Sequence, residues 1–309
     1  MLAFLTPFTG ELAAIGAALI WAIASFVYTH LGQRLSPLTL NITKGSISIG
    51  LILLTFVVRQ DALPQMDTGA VLRLVLSGAI GIGVGDTAFF ACLNCIGARR
   101  ALLLEALSPP LTAVLALIFL QEQLNVTAWA GISLTCLGVA WVVVEQEPDQ
   151  SEGKFRPLRG MVYGLIAAFG QASGAVLSRA ALSTTDISPL WSTLVRLVAG
   201  MLVLLVWISI QRQMWREFGR AFEQEFGVLR SPRILSITIG TAFAGTYLGI
   251  WLQQTALKYA PAGIAQSLVA TSPLFVIPLS LWLGERVSPR AIVGVVLALG
   301  GIWLLFMQR

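Results

Sequence analysis

Ten stretches of this 309-residue chain run for 18 to 26 residues with at most one charged side chain each, and that pattern constrains the fold more than any motif does. The hydrocarbon core of a bilayer is ~30 Å thick, and a helix needs ~20 apolar residues to cross it. A segment there must satisfy its own backbone hydrogen bonds, which selects helices for runs of this length. The runs cover residues 12–31, 35–58, 74–98, 101–121, 123–144, 160–178, 187–211, 234–257, 259–284 and 291–308. Lys44, Asp86, Glu105 and Arg196 are the single charges that interrupt four of them. Only 11% of the residues are charged, against about 25% in a soluble domain. The expectation is an all-α membrane protein of ten transmembrane helices, integral and multi-pass, with the lipid bilayer as its first partner.

Most connections are too short to hold a water-soluble domain. Two are longer. Residues 146–158, with Pro148, Asp149, Ser151, Gly153 and Lys154, read as a polar linker between a first unit, 1–145, and a second, 159–309. Residues 212–233 mix Arg, Glu and Phe, and part of this segment is expected as an amphipathic helix on the membrane face. The pairs Ser36-Pro37, Ser188-Pro189, Ser231-Pro232 and Ser288-Pro289 place a hydroxyl at an N-cap and proline at the first helical position. No basic stretch precedes the first run and Glu11 opens it, so it reads as retained rather than as a cleaved signal.

Several function classes are disfavoured at this point. The net charge of +5 is small and scattered, unlike a nucleic-acid surface. Cys92, Cys95 and Cys136 lie inside apolar runs and suggest no disulfide framework. Cys92 and Cys95 form a lone CxxC with no second pair, and His30 is the single histidine, so no metal site is expected. Gly83-Val84-Gly85-Asp86 spells the Gly-x-Gly-Asp string of intramembrane aspartyl proteases, but that chemistry needs two aspartates sharing a proton. Asp61, Asp67, Asp149 and Asp186 all sit in loops or at helix ends. No phosphate-binding glycine loop or Asp-rich magnesium motif is present. The reading is of a non-enzyme without a cofactor.

The chain repeats itself. Residues 106–141 and 269–304 align without gaps: Pro110 with Pro273, Leu120 with Leu283, Glu122 with Glu285, Gly131 with Gly294, Gly138 with Gly301. Earlier in each half Ser36-Pro37-Leu38 aligns with Ser188-Pro189-Leu190, and Lys44 with Arg196. Each half then holds five helices. A second copy of an odd-span unit enters the membrane from the opposite face, so the expected architecture is two inverted five-helix repeats, the plan of many secondary transporters.

These residues carry a resemblance. Ser108-Pro109-Pro110-Leu111 running to Leu120-Gln121-Glu122 and Gly131, with its echo Ser272-Pro273-Leu274 running to Leu283-Gly284-Glu285 and Gly294, resembles the drug/metabolite transporter superfamily, EamA type. The resemblance spans nearly the whole chain, and Lys44 and Arg196 in the second helix of each half fit it. It implies ten helices, a central cavity and export of small metabolites such as amino acids or related compounds. It also implies cytoplasmic termini.

A charge at mid-membrane costs ~2.5–3.5 kcal/mol on insertion scales and needs a reason. Lys44 lies seven residues after Pro37, ~10 Å into its helix. Asp86 and Glu105 lie about ten residues on either side of the turn between the third and fourth helices, ~10–15 Å deep. These three share one leaflet, whereas Arg196 has the matching depth in the other. A cluster of one cation and two carboxylates facing a cavity suits proton-coupled exchange; structural ion pairing is the competing reading. Pro109, Pro110 and Pro273 remove helical hydrogen bonds, and freed carbonyls are tolerated only against protein or a wet cavity. The fourth and ninth helices are therefore expected to line the cavity, with Trp21, Ser25, Gln171, Gln254 and Gln266 as further wall residues. Glu122 and Glu285 read as caps for the helices that follow them.

The rival to a carrier is a non-transporting scaffold or accessory subunit, which gains little from buried charges. Counting cations places 13 on the face of the odd-numbered connections and five on the face of the termini, which puts the termini outside, opposite to the resemblance. The remaining expectations are a bacterial inner (plasma) membrane location, a small-molecule substrate, protons as coupling ion, no nucleic-acid partner, and a monomer or homodimer.

Overall fold

The computed structural model describes residues 8–32, 35, 37–60, 67–96, 98–145, 156–210, 219, 225, 227–282 and 289–307. Among these residues there are helices and no strands. In chain order they are α1 (Thr9–Gly32), α2 (Pro37–Arg59), α3 (Thr68–Ser77), α4 (Thr87–Ile96), α5 (Ala98–Glu105), α6 (Ser108–Phe119), α7 (Val126–Glu145), α8 (Pro157–Leu182), α9 (Pro189–Ile210), α10 (Pro232–Thr241), α11 (Gly249–Tyr259), α12 (Ala262–Val269), α13 (Ser272–Trp282) and α14 (Pro289–Phe306). Two stretches of wider, π-type turns, Gly78–Asp86 and Ala242–Leu248, join α3 to α4 and α10 to α11. Seven described helical rods are long and apolar enough to cross a membrane, and three shorter apolar helices, Thr9–Ala24, Ala262–Pro278 and Arg290–Phe306, accompany them. The linker residues 146–155, most of the 212–233 segment and Glu285 lie outside the described residues. Pro157 and Leu158, counted with the linker in the sequence reading, form the first turn of α8.

Local sequence explains where the helices begin and break. Four of them open at the prolines of the Ser-Pro pairs, where fixed φ and a missing N–H cost nothing. Ser188 accepts a hydrogen bond from the Trp191 N–H at 3.3 Å, as an N-cap should. Ser231 makes no side-chain cap, so that expectation fails at this helix. Asn125 caps α7 by accepting from the Ala128 N–H at 2.8 Å. The fourth rod breaks after Glu105, just ahead of Pro109 and Pro110, and the matching rod in the second half breaks after Val269, ahead of Pro273. Both breaks contain tightened turns, Leu107 N–H to Leu104 O at 3.1 Å in the first, and Thr271 N–H to Leu268 O at 3.2 Å and Leu274 N–H to Thr271 O at 2.9 Å in the second.

The halves pack by exchange. The first helix of each lies on the third rod of the other: α1 on α11, and α8 on α3 and α4. Likewise α6 meets α12, and α7 meets α14. The α7–α14 seam is made by the four repeat-matched glycines. A Cβ on Gly131 would come 3.1 Å from Gly301 O, and one on Gly294 would come 2.9 Å from Gly138 O. Numbers rise along one helix as they fall along the other, so these two equivalent helices run antiparallel. Bare glycine faces let backbones approach where lipid offers no hydrophobic drive for helix association.

The apolar core is placed unevenly. Its largest cluster, including Ala14, Ala17, Leu74, Ala116, Leu182, Leu257, Ala262 and Leu268, fills the end of the bundle that carries the α2–α3, α6–α7, α8–α9 and α11–α12 connections. We call this the termini face. Large side chains such as Val57, Phe119 and Ile210 point outward, as lipid-facing positions do.

A β-branched side chain in the glycine seam overpacks it, which costs ~1–3 kcal/mol. Gly138→Val is expected to lower the melting temperature of the detergent-solubilised protein, followed by intrinsic fluorescence. A Cβ at Gly50 meets nothing within 4 Å, so Gly50→Ala in the middle of α2 is expected not to lower the melt.

Candidate functional site

A cavity of about 630 Å³ occupies the centre of the bundle, between the two broken rods and the two π-type segments. Its wall includes Trp21 of α1, Asn41 and Lys44 of α2, Asp86, Phe89 of α4, Glu105, Pro109, Gln171 of α8, Arg196 and Met201 of α9, Thr246, Gln253, Gln266 and Pro273. On the rod made by α3, the first π-type segment and α4, and on α7 and α9, the lining positions fall in the middle or C-terminal half, and on α2 they lie near the start. The cavity therefore extends from mid-bundle away from the termini face.

The π-type turns position the chemistry. Asp86 is the last residue of the first wide segment. Gly81 and Gly85 of that segment stack on Gly174 and Gly170 of α8: a Cβ on Gly170 would lie 3.1 Å from the Gly85 Cα, and one on Gly174 would lie 3.2 Å from the Gly81 Cα. That close approach brings Gln171 to Asp86, and its Nε2 donates to Oδ1 at 3.1 Å. In the second half Trp21 takes the space that Gly249 leaves bare and donates from Nε1 to the Gly245 carbonyl at 2.6 Å. Wide turns misalign backbone groups, and side chains from neighbouring helices receive them.

Four charges share the cavity. Asp86 is within electrostatic reach of both Lys44 and Arg196, and Glu105 is within reach of Asp86. Arg196 was expected in the opposite leaflet, yet it lines the same cavity. Two groups each ~10 Å in from opposite faces of a ~30 Å layer differ by only ~10 Å in depth, which one cavity spans. Gln253 donates to Gln266 Oε1 at 3.2 Å across the wall. Among the described wall residues, the buried side-chain atoms with no hydrogen-bond partner are Arg196 Nε and Nη1, Glu105 Oε2 and Ser108 Oγ.

Several candidates lie elsewhere. Gln254 is fully buried between helices, accepting from Ser192 Oγ at 2.8 Å, and its neighbour Gln253 takes the cavity position instead. Pro110 is half-buried beside the wall rather than in it. The side chain of Ser25 lies outside the described residues. Asn41, Phe89 and Thr246 are wall residues that the sequence reading did not single out; polarity at the depth of Lys44 was the available signal for Asn41.

A polar latch lies at the termini face, outside the cavity wall. Arg179 Nε donates to Glu122 Oε1 at 2.6 Å, and its Nη1 donates to the carbonyls of Leu257 at 3.0 Å and Lys258 at 2.7 Å. Glu122 Oε2 accepts from the Ala262 N–H at 2.9 Å. Lys258 Nζ donates to the Ile187 carbonyl at 2.8 Å. Glu122 was expected to cap the helix that follows it; Asn125 does that, and Glu122 caps α12 of the other half. The latch thereby ties the end of the fourth rod to α8, α11, α12 and the α8–α9 turn.

Hydrogen bonds to charged groups are worth ~1.5–3 kcal/mol each, so Arg179→Gln is expected to raise opening at the termini face at least ~ten-fold. The measurement is thiol labelling of Gln266→Cys in a background lacking Cys92, Cys95 and Cys136. Labelling by a membrane-impermeant reagent applied from the termini face accelerates if the latch closes that end.

The pattern of the EamA-like transporter family matches residues 8–144 and again residues 158–307. A protein of Archaeoglobus fulgidus described as an uncharacterized transporter is 24% identical over 297 residues, covering 96% of this chain and 97% of that protein. A crystal structure described only as that of a protein superposes with a TM-score of 0.75 at 15% identity, over 96% of each chain, and shows the same fold. Two family matches, one to each half of a helical bundle with four charged residues in its central cavity, lead to one conclusion: this chain is an integral membrane protein of the EamA-like transporter family.

Proposed function

We propose that the protein is a secondary transporter that exports a small metabolite, such as an amino acid or a related compound, by alternating access. In this reading ten helices cross the bacterial inner membrane as two inverted units, 1–145 and 159–309. The observation that carries the reading is a mid-bundle cavity that holds four charged residues and extends away from the termini face, where the apolar core and the Arg179–Glu122 latch lie. A scaffold has no use for such a one-sided cavity. A carrier occupies this state half of its cycle, and near-equivalent halves supply the mirror state. The antiparallel run of α7 and α14 and the exchange packing of equivalent helices support the inversion.

The chemistry available is binding and release, with no catalytic step. Apolar walls from Ile82, Leu197, Leu204 and Ile250 surround a few polar anchors, the usual make-up of a small-molecule site. Trp21, Lys44, Gln171, Arg196 and Gln266 are the proposed substrate contacts. Asp86 and Glu105, close enough to feel one another, are the proposed proton relay: two carboxylates that share a site load and unload protons as one coupled unit. The broken rods at Pro109 and Pro273 flex as the cavity changes sides.

Export is tested by comparing the metabolites that accumulate outside cells with and without the protein. Coupling is tested in proteoliposomes. Asp86→Asn is expected to abolish transport driven by a pH gradient while leaving solute exchange at equal pH. Unchanged pH-driven transport in that variant rejects the relay. Accessibility of a cysteine at Gln308 fixes the side of the termini, and with it the face to which the cavity leads.

A further inference from the structure

We propose that the cavity recognises its substrate through a carboxylate, and that Arg196 is the residue that holds it. This deepens the transport reading above and rests on it for the cavity's role. Arg196 is 3% exposed, lines the cavity, and has both Nε and Nη1 buried with no hydrogen-bond partner. Nε belongs to one carboxylate-sized edge of the guanidinium and Nη1 to the other. A buried guanidinium with one unpartnered nitrogen on each edge carries a desolvation cost that the oxygens of an anion remove.

The surroundings explain why the protein itself does not satisfy this group. The facing segment is glycine: a side chain on Gly78 would overlap the Arg196 backbone, and a Cβ on Gly81 would sit 3.5 Å from Nη2. Those positions therefore offer no side-chain acceptor. Asp86 reaches Arg196 electrostatically, but its Oδ1 is engaged by Gln171. The arginine is held in place by glycine packing, and two of its nitrogens receive no partner from the protein.

The charge arrangement selects the class of anion. Asp86 and Glu105 flank the same cavity, so a phosphate dianion meets two carboxylates for each gain. A carboxylate carries one charge, is planar, and fits the planar fork of a single guanidinium. Lys44, the repeat partner of Arg196, is a point charge without that fork, so the two positions are chemically unequal although they match in sequence. The apolar walls leave room for a small alkyl or aromatic body behind the carboxylate.

The test uses the purified full chain in lipid nanodiscs. Acetate, butyrate, 4-methylpentanoate and 3-phenylpropionate are titrated against their neutral amides and against inorganic phosphate, with melting temperature and intrinsic tryptophan fluorescence as readouts. At least one carboxylate is expected to stabilise the protein saturably, and its amide and phosphate are not. Arg196→Lys keeps the charge, loses the fork, and is expected to weaken that carboxylate at least ten-fold, about 1.4 kcal/mol. Arg196→Gln is expected to abolish binding; if it fails to fold, the Lys variant carries the test. Equal stabilisation by acid and amide, preference for phosphate, binding unweakened in Arg196→Lys, or no binding across the series each overturns the proposal. Carboxylate binding that depends on Arg196 in a protein that moves no solute across vesicles leaves the anchor standing and removes the transport reading.

Discussion

Inside a bilayer there is no water to receive a broken helix or a lone charge, and this bundle is organised around that demand. Its irregularities are concentrated where protein surrounds them. The two proline breaks, the two π-type segments and the four membrane charges all converge on one central volume. Where a wide turn leaves a carbonyl misaligned, Trp21 supplies a donor; where a helix must pass close to Asp86, Gly170 and Gly174 remove the obstruction. The outer surfaces, by contrast, are regular helices bearing Val, Leu, Ile and Phe towards lipid.

The two halves are similar without being the same, and the differences fall at places that matter. Glycine pairs shared by α7 and α14 make a seam that looks alike from either half. The latch does not. Its acid, Glu122, has a sequence counterpart in Glu285, but its cation, Arg179, ends α8, and α1 contains no lysine or arginine. The termini face thus carries a charged pair whose cation has no counterpart within α1. The cavity charges are likewise uneven: Gly249 and Leu268 stand where Asp86 and Glu105 stand in the first half. Duplication supplies two near-equivalent shapes, and these local departures give the two faces different chemistry.

Much of the architecture was legible along the chain because its causes are local. A run of apolar residues crosses lipid whatever its neighbours do, and proline at a first helical turn starts a helix by its own geometry, as Pro37, Pro189, Pro232 and Pro289 do. The matched Pro110–Pro273 and Gly131–Gly294 positions carried the family resemblance for the same reason. Depth arguments along single helices went less far. They separated Arg196 from Asp86 by leaflet, because distance along a helix axis says nothing about a wide cavity that spans the middle. Of the adjacent glutamines it is Gln253, and not Gln254, that faces the cavity, because one residue turns a helical side chain by about 100°.

The sequence by itself determined the all-helical membrane class, the twofold repeat, the family and the four charges that require burial. Hydropathy, helix length and proline chemistry act within ~20 residues of chain and need no partner to be read. Only the tertiary structure decided that those charges share one cavity, that α3 and α10 continue as wide turns set by glycine contacts, and that Arg179 and Glu122 meet. Those outcomes depend on which helices face each other at a separation of a few ångströms, and residues 57 positions apart acquire that relation only when the bundle packs.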